Sequence, residues 1–422
     1  MFRIYSYLIN LFFPVLIFII YIRTFLKKED KKRFKEKLFS SSFNIKKDSQ
    51  KKLIWFHVAS IGELKSIIPL LKKLANKKEL NFLITTVTLS SSTLFETNLK
   101  NYKNIIHRFF PIDKPKLVKS FIEKWSPELI IFVDSEIWPN FIFEIKKSKI
   151  PLILLNARIT KKTFLRWRLI KNSAERIFQS FKLCLASSKE SKMFLEELKA
   201  DNIKYFGNLK LAFDNCLDSS VSSNKVLLKD KKFWCALSTH KGEDIFCLNT
   251  HTKIKKIHDD IITIIIPRHI DRAQNIKSIC EKLNLKTQVL SDGDKIEAKN
   301  EIIIINSYGV TSKYLKLCKS VFIGKSLLKR LKNVGGQNPI EAAKIGCKIY
   351  HGPYVYNFQE VYELLNKYRI AEIIKNENEL SNKLISDLNK SNLMTSEKIQ
   401  IINNLGREIL DNTYNEIVRF IK

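Results

Sequence analysis

The chain lacks the short motifs that mark several common kinds of site. Its seven cysteines form no CxxC pair and its seven histidines show no metal-ligand spacing, so we expect no protein-bound zinc. It contains no GxGxxG fingerprint and no Walker loop, which weighs against dinucleotides and ATP. No segment interleaves basic and aromatic residues as nucleic-acid-binding modules do. The sequence therefore predicts no cofactor, no metal and no nucleic acid partner.

Acidic residues are scarce, since 42 Asp and Glu stand against 74 Lys and Arg and give a formal net charge of +32. The lysines are spread along the whole chain, which fits an anionic membrane surface or a phosphorylated glycolipid better than a nucleic acid. A generically soluble basic surface is the alternative. Cys184, Cys235 and Cys347 fall in or beside apolar runs, as structural thiols of a reducing compartment do.

The N-terminal segment 4–22 carries no charge and is bracketed by Arg3 and Arg23. Its length is just enough to cross a bilayer as a helix. No small-residue cleavage site follows, which weighs against a signal peptide. The lysine-rich stretch 27–37 places the globular part in the cytoplasm by the positive-inside rule. We predict a membrane anchor helix over residues 1–25, with a helix lying in the membrane interface as the alternative.

Short apolar runs alternate with charged, helix-period stretches such as Pro115–Lys124 and Ser188–Lys199. This alternation predicts doubly wound α/β architecture. The apolar runs are Phe82–Val87, Leu129–Val133, Leu152–Leu155, Leu183–Ala186, Phe233–Leu237, Ile261–Ile266, Ile302–Ile305, Val321–Gly324 and Lys348–Tyr350. The polar stretch 218–224 divides them, so we expect Rossmann-like domains over residues 26–217 and 225–422, facing each other across a cleft.

The stretch LIWFHVASIGE, residues 53–63, reads as a buried strand that ends at a turn and opens a helix on Glu63. Open α/β sheets bind ligands just past the carboxyl ends of their strands. The first helical turn favours an ionised carboxylate, so Glu63 is a candidate general base. A glutamate that only caps its own helix is the alternative.

Further polar clusters follow other strands, and each is also compatible with a simple turn or cap. Asp134 and Glu136 follow one strand, and Arg268 and His269 follow another. The segment GGQNPIE, residues 335–341, places glycines before a helix, where phosphate is commonly bound. Their joint position at strand ends indicates a single functional site.

The order of these motifs resembles the Kdo transferase family, the 3-deoxy-D-manno-octulosonic acid transferases of lipid A biosynthesis. The matching segments are HVASIGE, EIWPN, LLNARIT, GNLK, STHKGED, PRHIDR, GGQNPIEAAKIG and HGPYVYNF. The resemblance implies a GT-B fold with an N-terminal acceptor domain and a C-terminal CMP-sugar domain. It also implies transfer of Kdo from CMP-Kdo to a tetraacylated lipid A precursor, lipid IVA, at the cytoplasmic side of the inner membrane. The implied mechanism is an inverting direct displacement.

The resemblance also implies residue roles. Glu63 matches the general base, and Glu136 and Lys210 match positions that support the transition state. The positions that match CMP-donor contacts are Arg268, His269, Tyr308, Gly309, Val310, Asn338, Pro339, Ile340 and Glu341. The chain departs from the family pattern at Asp134, at Gln337 and in segment 306–310, where Val310 replaces an acidic residue. A GT-B transferase for another nucleotide sugar, such as a UDP-sugar, and a non-catalytic membrane-tethered glycolipid binder are the alternatives.

Overall fold

We describe residues 2–43, 50–213, 224–390 and 395–421 in a computed structural model of the chain. These residues form two compact units, residues 1–213 with 405–422 and residues 214–404. The predicted linker 218–224 lies outside the described residues except for Asn224. The division differs from the predicted domains at both termini, because residues 1–25 and 405–422 both belong to the first unit.

The first unit contains a parallel seven-stranded sheet among its described residues, in the order β3-β2-β1-β4-β5-β6-β7. Its strands are β1 (Lys52–Val58), β2 (Leu80–Thr86), β3 (Ile105–Phe109), β4 (Leu129–Val133), β5 (Leu152–Ala157), β6 (Leu183–Ala186) and β7 (Ile203–Tyr205). Its helices are α1 (Phe2–Phe25), α2 (Ile61–Ala75), α3 (Leu89–Asn98), α4 (Pro115–Trp125), α5 (Pro139–Lys147), α6 (Lys161–Arg168), α7 (Lys171–Phe178) and α8 (Lys189–Glu197).

The second unit contains another parallel seven-stranded sheet, in the order β10-β11-β9-β8-β12-β13-β14 among the described residues. Its strands are β8 (Phe233–Thr239), β9 (Ile262–Pro267), β10 (Thr287–Leu290), β11 (Ile302–Ile305), β12 (Ser320–Ile323), β13 (Lys348–His351) and β14 (Ala371–Ile373). Its helices are α9 (Lys225–Lys229), α10 (Glu243–Lys255), α11 (Ala273–Lys282), α12 (Thr311–Leu315), α13 (Ile340–Ile345), α14 (Gln359–Lys367) and α15 (Glu377–Leu388). The last helix, α16 (Ser396–Val418), contributes its residues from Leu405 onward to the first unit.

The central strands β4 and β9 are buried along their whole length and β1 is buried after its first residue, as parallel strands covered by helices on both faces are. In the first unit, Trp55 is fully buried, with its ring centroid 5.0 Å from that of Phe121 and 5.5 Å from that of Phe141. In the second unit, Trp234 and Phe322 lie in the corresponding core. The six described cysteines are all buried and free.

Helix α1 combines a long apolar surface with polar contacts to the first unit. Its segment Arg3–Phe25 has a mean hydropathy of 2.1 and is long and apolar enough to cross a membrane. Near its start, the Tyr5 hydroxyl donates to Asp113 Oδ2 at 2.9 Å and the Ser6 hydroxyl donates to Asn140 Oδ1 at 2.5 Å. Near its end, the Tyr21 ring packs edge-on against Phe34. Helix α1 is therefore docked on the first unit rather than separate from it.

Candidate active site

In the first unit, polar residues lie at the switch point of the sheet, where the order in which the chain adds strands reverses. The chain runs from β1 through β2 to β3 at one edge, and β4 then pairs with the other side of β1. The loops after β1 and β4 therefore diverge, and such switch points are where open α/β sheets bind ligands. Glu63 follows β1, while Asp134 and Glu136 follow β4.

The Glu63 carboxylate caps the start of α2. It accepts hydrogen bonds from the Ala59 N–H at 2.6 Å and from the Ser60 hydroxyl at 2.9 Å, and Ser60 Oγ in turn accepts from the Glu63 N–H at 3.3 Å. Burial and, after it, the negative charges of Asp134 and Glu136 raise the pKa of Glu63 to about 7, against the lowering effect of the two hydrogen bonds. Burial and the neighbouring carboxylates therefore outweigh the helix start, which we expect to favour the ionised form.

Lys210 is fixed by an ion pair at the end of β4. Its Nζ lies 2.6 Å from Asp134 Oδ2, and the Asn156 side chain donates to Asp134 Oδ1 while accepting from the Leu209 N–H at 2.9 Å. Asp134 and Asn156 have left-handed φ angles of 58° and 54°. Asp and Asn tolerate this conformation better than most residue types, and the hydrogen bond between the two side chains holds both turns in place.

Glu136 is held by two aromatic nitrogen groups. Its Oε2 accepts from the Trp138 indole N–H at 2.9 Å and lies 3.1 Å from His57 Nε2. His57 is fully buried, its ring stacks on Phe110 with centroids 3.6 Å apart, and its Nδ1 lies 3.0 Å from Thr85 Oγ1. The structure therefore brings Glu63, Glu136 and Lys210 into one cluster and adds His57 beneath it.

The second unit has its own switch point between β8 and β12. The fully buried Glu243 joins the two loops there, because its carboxylate accepts four main-chain N–H groups. These belong to His240 at 3.0 Å and to Lys325, Ser326 and Leu327 at 2.6, 2.9 and 3.0 Å. A carboxylate with four donors fixes both loops relative to the sheet.

Arg268 and His269 are exposed just past β9. The Arg268 N–H donates to the Thr239 carbonyl at 3.2 Å, and the His269 ring centroid lies 6.0 Å from that of His240. Burial and, after it, the positive charges of Lys325, His269, Arg272 and Arg268 lower the pKa of His240 to about 4. This concentration of positive charge suits a phosphate group.

The segment 335–341 packs against the loop after β12. Gly336 has a φ of 89° and donates its N–H to the Lys325 carbonyl at 2.6 Å, and a Cβ there would meet the Val355 carbonyl oxygen at 2.8 Å. Gln337, which replaces a histidine of the family pattern, places its Nε2 3.4 Å from His240 Nε2. Asn338 accepts from the Ile340 N–H at 3.0 Å.

Several predicted donor contacts are limited to main-chain atoms. Val310 and Ile340 are 5% and 3% exposed and Pro339 is also buried, so their side chains belong to the core. Tyr308 is 66% exposed and Gly309 has a φ of 80° beside open space. Glu341 is half-buried in the first turn of α13.

Two buried side-chain oxygen atoms of the second unit are candidates for a contact with a ligand. Thr239 Oγ1 and Asp244 Oδ1 have no hydrogen-bond partner among the described residues. Buried polar atoms are rarely left in this state, so each is a candidate contact for water or a ligand. Within the described ranges, no group of three or more His, Cys, Asp or Glu is arranged to hold a metal ion, and the absence of a cofactor stays a prediction.

The sequence analysis placed Asp134 in a strand-end cluster but assigned no site role to His57, Asn156, His240 and Lys325. Three of these four residues fall inside segments that were marked as motifs, so their position was the available signal. Lys325 directly follows Gly324, at the end of a predicted strand, and its residue type alone gave no signal.

Comparison with solved structures confirms the predicted GT-B fold class. A putative UDP-N-acetylglucosamine 2-epimerase from Listeria monocytogenes matches with a TM-score of 0.60 and 12% identity, over 88% of this chain and 96% of that one. A glycosyltransferase from Rickettsia africae matches with a TM-score of 0.55 and 12% identity, over 88% and 99%. At this identity, the likeness concerns the fold alone.

Comparison of sequences identifies the family as well as the fold. Residues 32–213 match the family model described as 3-deoxy-D-manno-octulosonic-acid transferase (kdotransferase). A probable mitochondrial 3-deoxy-D-manno-octulosonic acid transferase from Arabidopsis thaliana is 30% identical over 81% of this chain and 77% of that protein. The 3-deoxy-D-manno-octulosonic acid transferase of Rickettsia bellii is 31% identical over 91% of this chain and 90% of that protein. Because the relative from Rickettsia bellii is 31% identical over 91% of this chain and 90% of its own length, the chain belongs to the 3-deoxy-D-manno-octulosonic acid transferase family of glycosyltransferases.

Proposed function

We propose that the chain transfers Kdo from CMP-Kdo to a tetraacylated lipid A precursor by inverting direct displacement. Glu63 carries the proposal, because its pKa near 7 and its place beside Asp134 and Glu136 suit a general base. A carboxyl group that titrates near neutrality can accept a proton at cellular pH and still remain a good base.

In the proposed reaction, the acceptor hydroxyl oxygen attacks the anomeric carbon of Kdo. Its proton passes to Glu63 as the new carbon–oxygen bond forms, and the bond from the anomeric carbon to the CMP phosphate breaks. CMP leaves with the electron pair, so charge and atoms balance without a covalent intermediate. The attack on the opposite face inverts the anomeric centre.

Glu136 and Lys210 support the transition state in this scheme. The anomeric carbon becomes positive as CMP departs, and the fixed Glu136 carboxylate favours that charge. Lys210 offers a positive charge for the departing phosphate, and its ion pair with Asp134 at 2.6 Å holds the ammonium in place before the reaction. Preorganised charges of this kind require no reorientation during bond breaking.

The second unit binds CMP in this proposal. Arg268 and His269 contact the phosphate, and the exposed segment at Tyr308 and Gly309 offers main-chain contacts. Main-chain groups of Val310 and of segment 338–341, together with the Glu341 carboxylate, complete the nucleotide contacts. Burial lowers the pKa of His240, and so do the positive charges around it; these charges support the placement of the phosphate.

We also propose that α1 holds the chain at the cytoplasmic side of the inner membrane. Its apolar side chains Phe12, Val15, Phe18 and Ile19 are 44–65% exposed, and the basic stretch 27–37 follows it. The contacts of Tyr5, Ser6 and Tyr21 with the first unit favour a helix that lies in the membrane interface, since a docked helix cannot project freely.

The test is to incubate the full chain with CMP-Kdo and the tetraacylated precursor and to weigh the lipid product by mass spectrometry. We expect the mass of one or more Kdo residues to be added, and free CMP to inhibit the reaction better than UDP. Transfer from a UDP-sugar, with inhibition by UDP, would move the donor assignment to another nucleotide. Binding of the lipid without transfer from either donor would favour a non-catalytic glycolipid binder.

A further inference from the structure

Lys325 lies at the switch point of the second sheet. It is the second residue after β12, and β12 pairs with β8, from which the chain leaves toward β9 and the opposite edge. Ligands of open α/β sheets bind outside the carboxyl ends of the strands at such a point. None of the donor contacts inferred above comes from this loop.

The main chain at Lys325 is held tightly. Its N–H donates to Glu243 Oε2 at 2.6 Å, and its carbonyl accepts from the Gly336 N–H at 2.6 Å. On its N-terminal side, a Cβ on Gly324 would come within 2.7 Å of the Ser238 carbonyl oxygen, so the turn lies directly against the loop after β8. These contacts involve main-chain atoms and do not require a lysine side chain.

The conformation of Lys325 is unfavourable for its residue type. Its φ is 57°, in the left-handed region that glycine and asparagine tolerate better than lysine does. Lys27, Lys149 and Lys199 have similar φ angles, so the angle describes the backbone of the turn and does not by itself assign a role to the side chain. The side chain brings a positive charge, and that charge acts on His240 from across the switch point.

Positive charge from two loops gathers at His240. Lys325, Arg268 and His269 all contribute to it, and such a concentration of charge suits an added anion. The carboxylates beside it have partners in the fold, since Asp244 pairs with Arg272 through Oδ2 and Glu243 accepts four main-chain N–H groups. A lysine ammonium acts on a phosphate group as a compact point charge.

We propose that Lys325 binds the phosphate of the CMP donor, which makes it a further donor-binding residue; this inference rests on the proposed function. The rigid turn positions the lysine before CMP arrives, so less flexibility is lost on binding than for a surface lysine. The side chain then stabilises the phosphate both in bound CMP-Kdo and as the leaving group.

The test compares binding of CMP and of cytidine, which lacks the phosphate, by calorimetry. Lys325→Asn removes the charge while keeping a residue that tolerates a left-handed φ. We expect it to bind CMP about 10- to 100-fold more weakly, as for a lost charge-assisted contact, and to leave cytidine binding unchanged. Lys253→Asn, on the exposed last turn of α10, removes the same charge as a matched control. Lys325→Gly should raise the melting temperature and still lose CMP affinity.

Two results would overturn the assignment. Wild-type CMP affinity in Lys325→Asn would show that the lysine does not contact the phosphate. Equal losses for CMP and cytidine would show damage to the turn instead. Arg268→Ala separates this inference from the proposed function: if it weakens CMP binding while Lys325→Asn does not, only the Lys325 assignment fails. A wild-type chain that binds no CMP would remove both.

Discussion

At the scale of single residues, Glu63 combines two roles that the sequence presented as alternatives. Its hydrogen bonds with Ala59 and Ser60 are those of a helix cap, and its raised pKa is that of a candidate base. The cap orients the carboxylate, while burial and the charges of Asp134 and Glu136 set its basicity. Its position after a strand was enough to predict Glu63 as a candidate. The upward direction of its pKa shift could not be predicted, because it depends on buried neighbours that only the fold brings together.

The raised pKa of Glu63 predicts the pH dependence of turnover. Since the base must be ionised, kcat should fall as pH decreases through about 7. The measurement is kcat at saturating CMP-Kdo and acceptor between pH 5 and 9. A rate that stays constant down to pH 5 would assign the base to another group.

The same shift predicts an effect on stability. A folded-state pKa above the ordinary value of 4.5 adds stability at pH below 4.5, and that stability is lost as pH rises through about 7. Glu63→Gln has no carboxyl group at this position, so it does not lose this stability as pH rises. The melting temperature of the variant minus that of wild type should therefore increase from pH 5 to pH 8. Thermal unfolding of both proteins across this range measures the trend, and a constant difference would contradict the raised pKa.

Arg268 supports a further prediction at the residue scale. Its exposed guanidinium adds to the positive potential at His240, so Arg268→Ala should lower kcat/KM for CMP-Kdo by about 1.5–3 kcal/mol in transition-state stabilisation. Steady-state kinetics at varied CMP-Kdo provide the test. A wild-type kcat/KM would remove Arg268 from the donor site.

At the scale of elements, the sequence predicted central strands better than edge strands. The predicted runs Leu129–Val133, Leu183–Ala186 and Ile302–Ile305 coincide with β4, β6 and β11. The four strands that it missed, β3, β7, β10 and β14, are the four sheet edges. Edge strands are short or partly exposed, so they carry no continuous apolar run that a periodicity argument can detect.

The candidate site residues also divide into a group that could be predicted and a group that could not. Residues in the loop directly after a strand could be predicted, because the carboxyl ends of parallel strands share one edge. The partners that fix them, such as His57 beneath Glu136 and Glu243 beneath Lys325, could not, because buried side chains in strands and first turns resemble ordinary core residues. Their function depends on pairs of residues far apart in sequence.

We predict that Glu243 holds two elements together, since it joins the loops after β8 and β12. Glu243→Gln replaces one acceptor oxygen with an NH₂ group that faces main-chain donors, so buried N–H groups lose partners. We expect the free energy of unfolding to fall by about 1–3 kcal/mol and CMP binding to weaken. Thermal denaturation and hydrogen exchange at residues 325–327 measure both effects, with the exposed Glu363→Gln on α14 as control. Unchanged exchange at these amides would contradict the role of Glu243.

At the scale of the whole molecule, each of the two units places its polar cluster at the switch point of its own sheet. The first unit also contains residues from the N-terminal and C-terminal parts of the chain. Residues 405–422 return to it, where Asp411 pairs with Lys73 at 2.5 Å and Glu416 pairs with Lys204 at 2.7 Å. This return was not predictable from the linear order of strands and helices.

The proposed membrane attachment concerns the whole chain and predicts an effect of salt on binding to vesicles. Without residues 1–24, the remaining basic surface should bind anionic vesicles at low salt and release them at about 1 M salt, where charges are screened within about 3 Å. The full chain should remain bound in high salt. Vesicle sedimentation tests this, and high-salt retention of the truncated chain would show that α1 is not the main anchor.

The truncation also removes the Tyr5 and Ser6 hydrogen bonds to Asp113 and Asn140, so it should lower the melting temperature of the first unit slightly. Tyr5→Phe in the full chain is the matched control. It loses one docking contact with the first unit while keeping the apolar surface, so it should remain on vesicles in high salt.

The most direct test of the account is the kcat of Glu63→Gln, measured with saturating CMP-Kdo and precursor and alongside its melting temperature. Glutamine keeps the shape and an acceptor for the Ala59 N–H but removes the basicity. We predict that kcat falls roughly 10²- to 10⁴-fold while the fold and CMP binding persist, and that the exposed Glu96→Gln on α3 behaves as wild type. A near-normal kcat with about 1 kcal/mol of lost stability is the result of a helix cap alone and would contradict Glu63 as the general base.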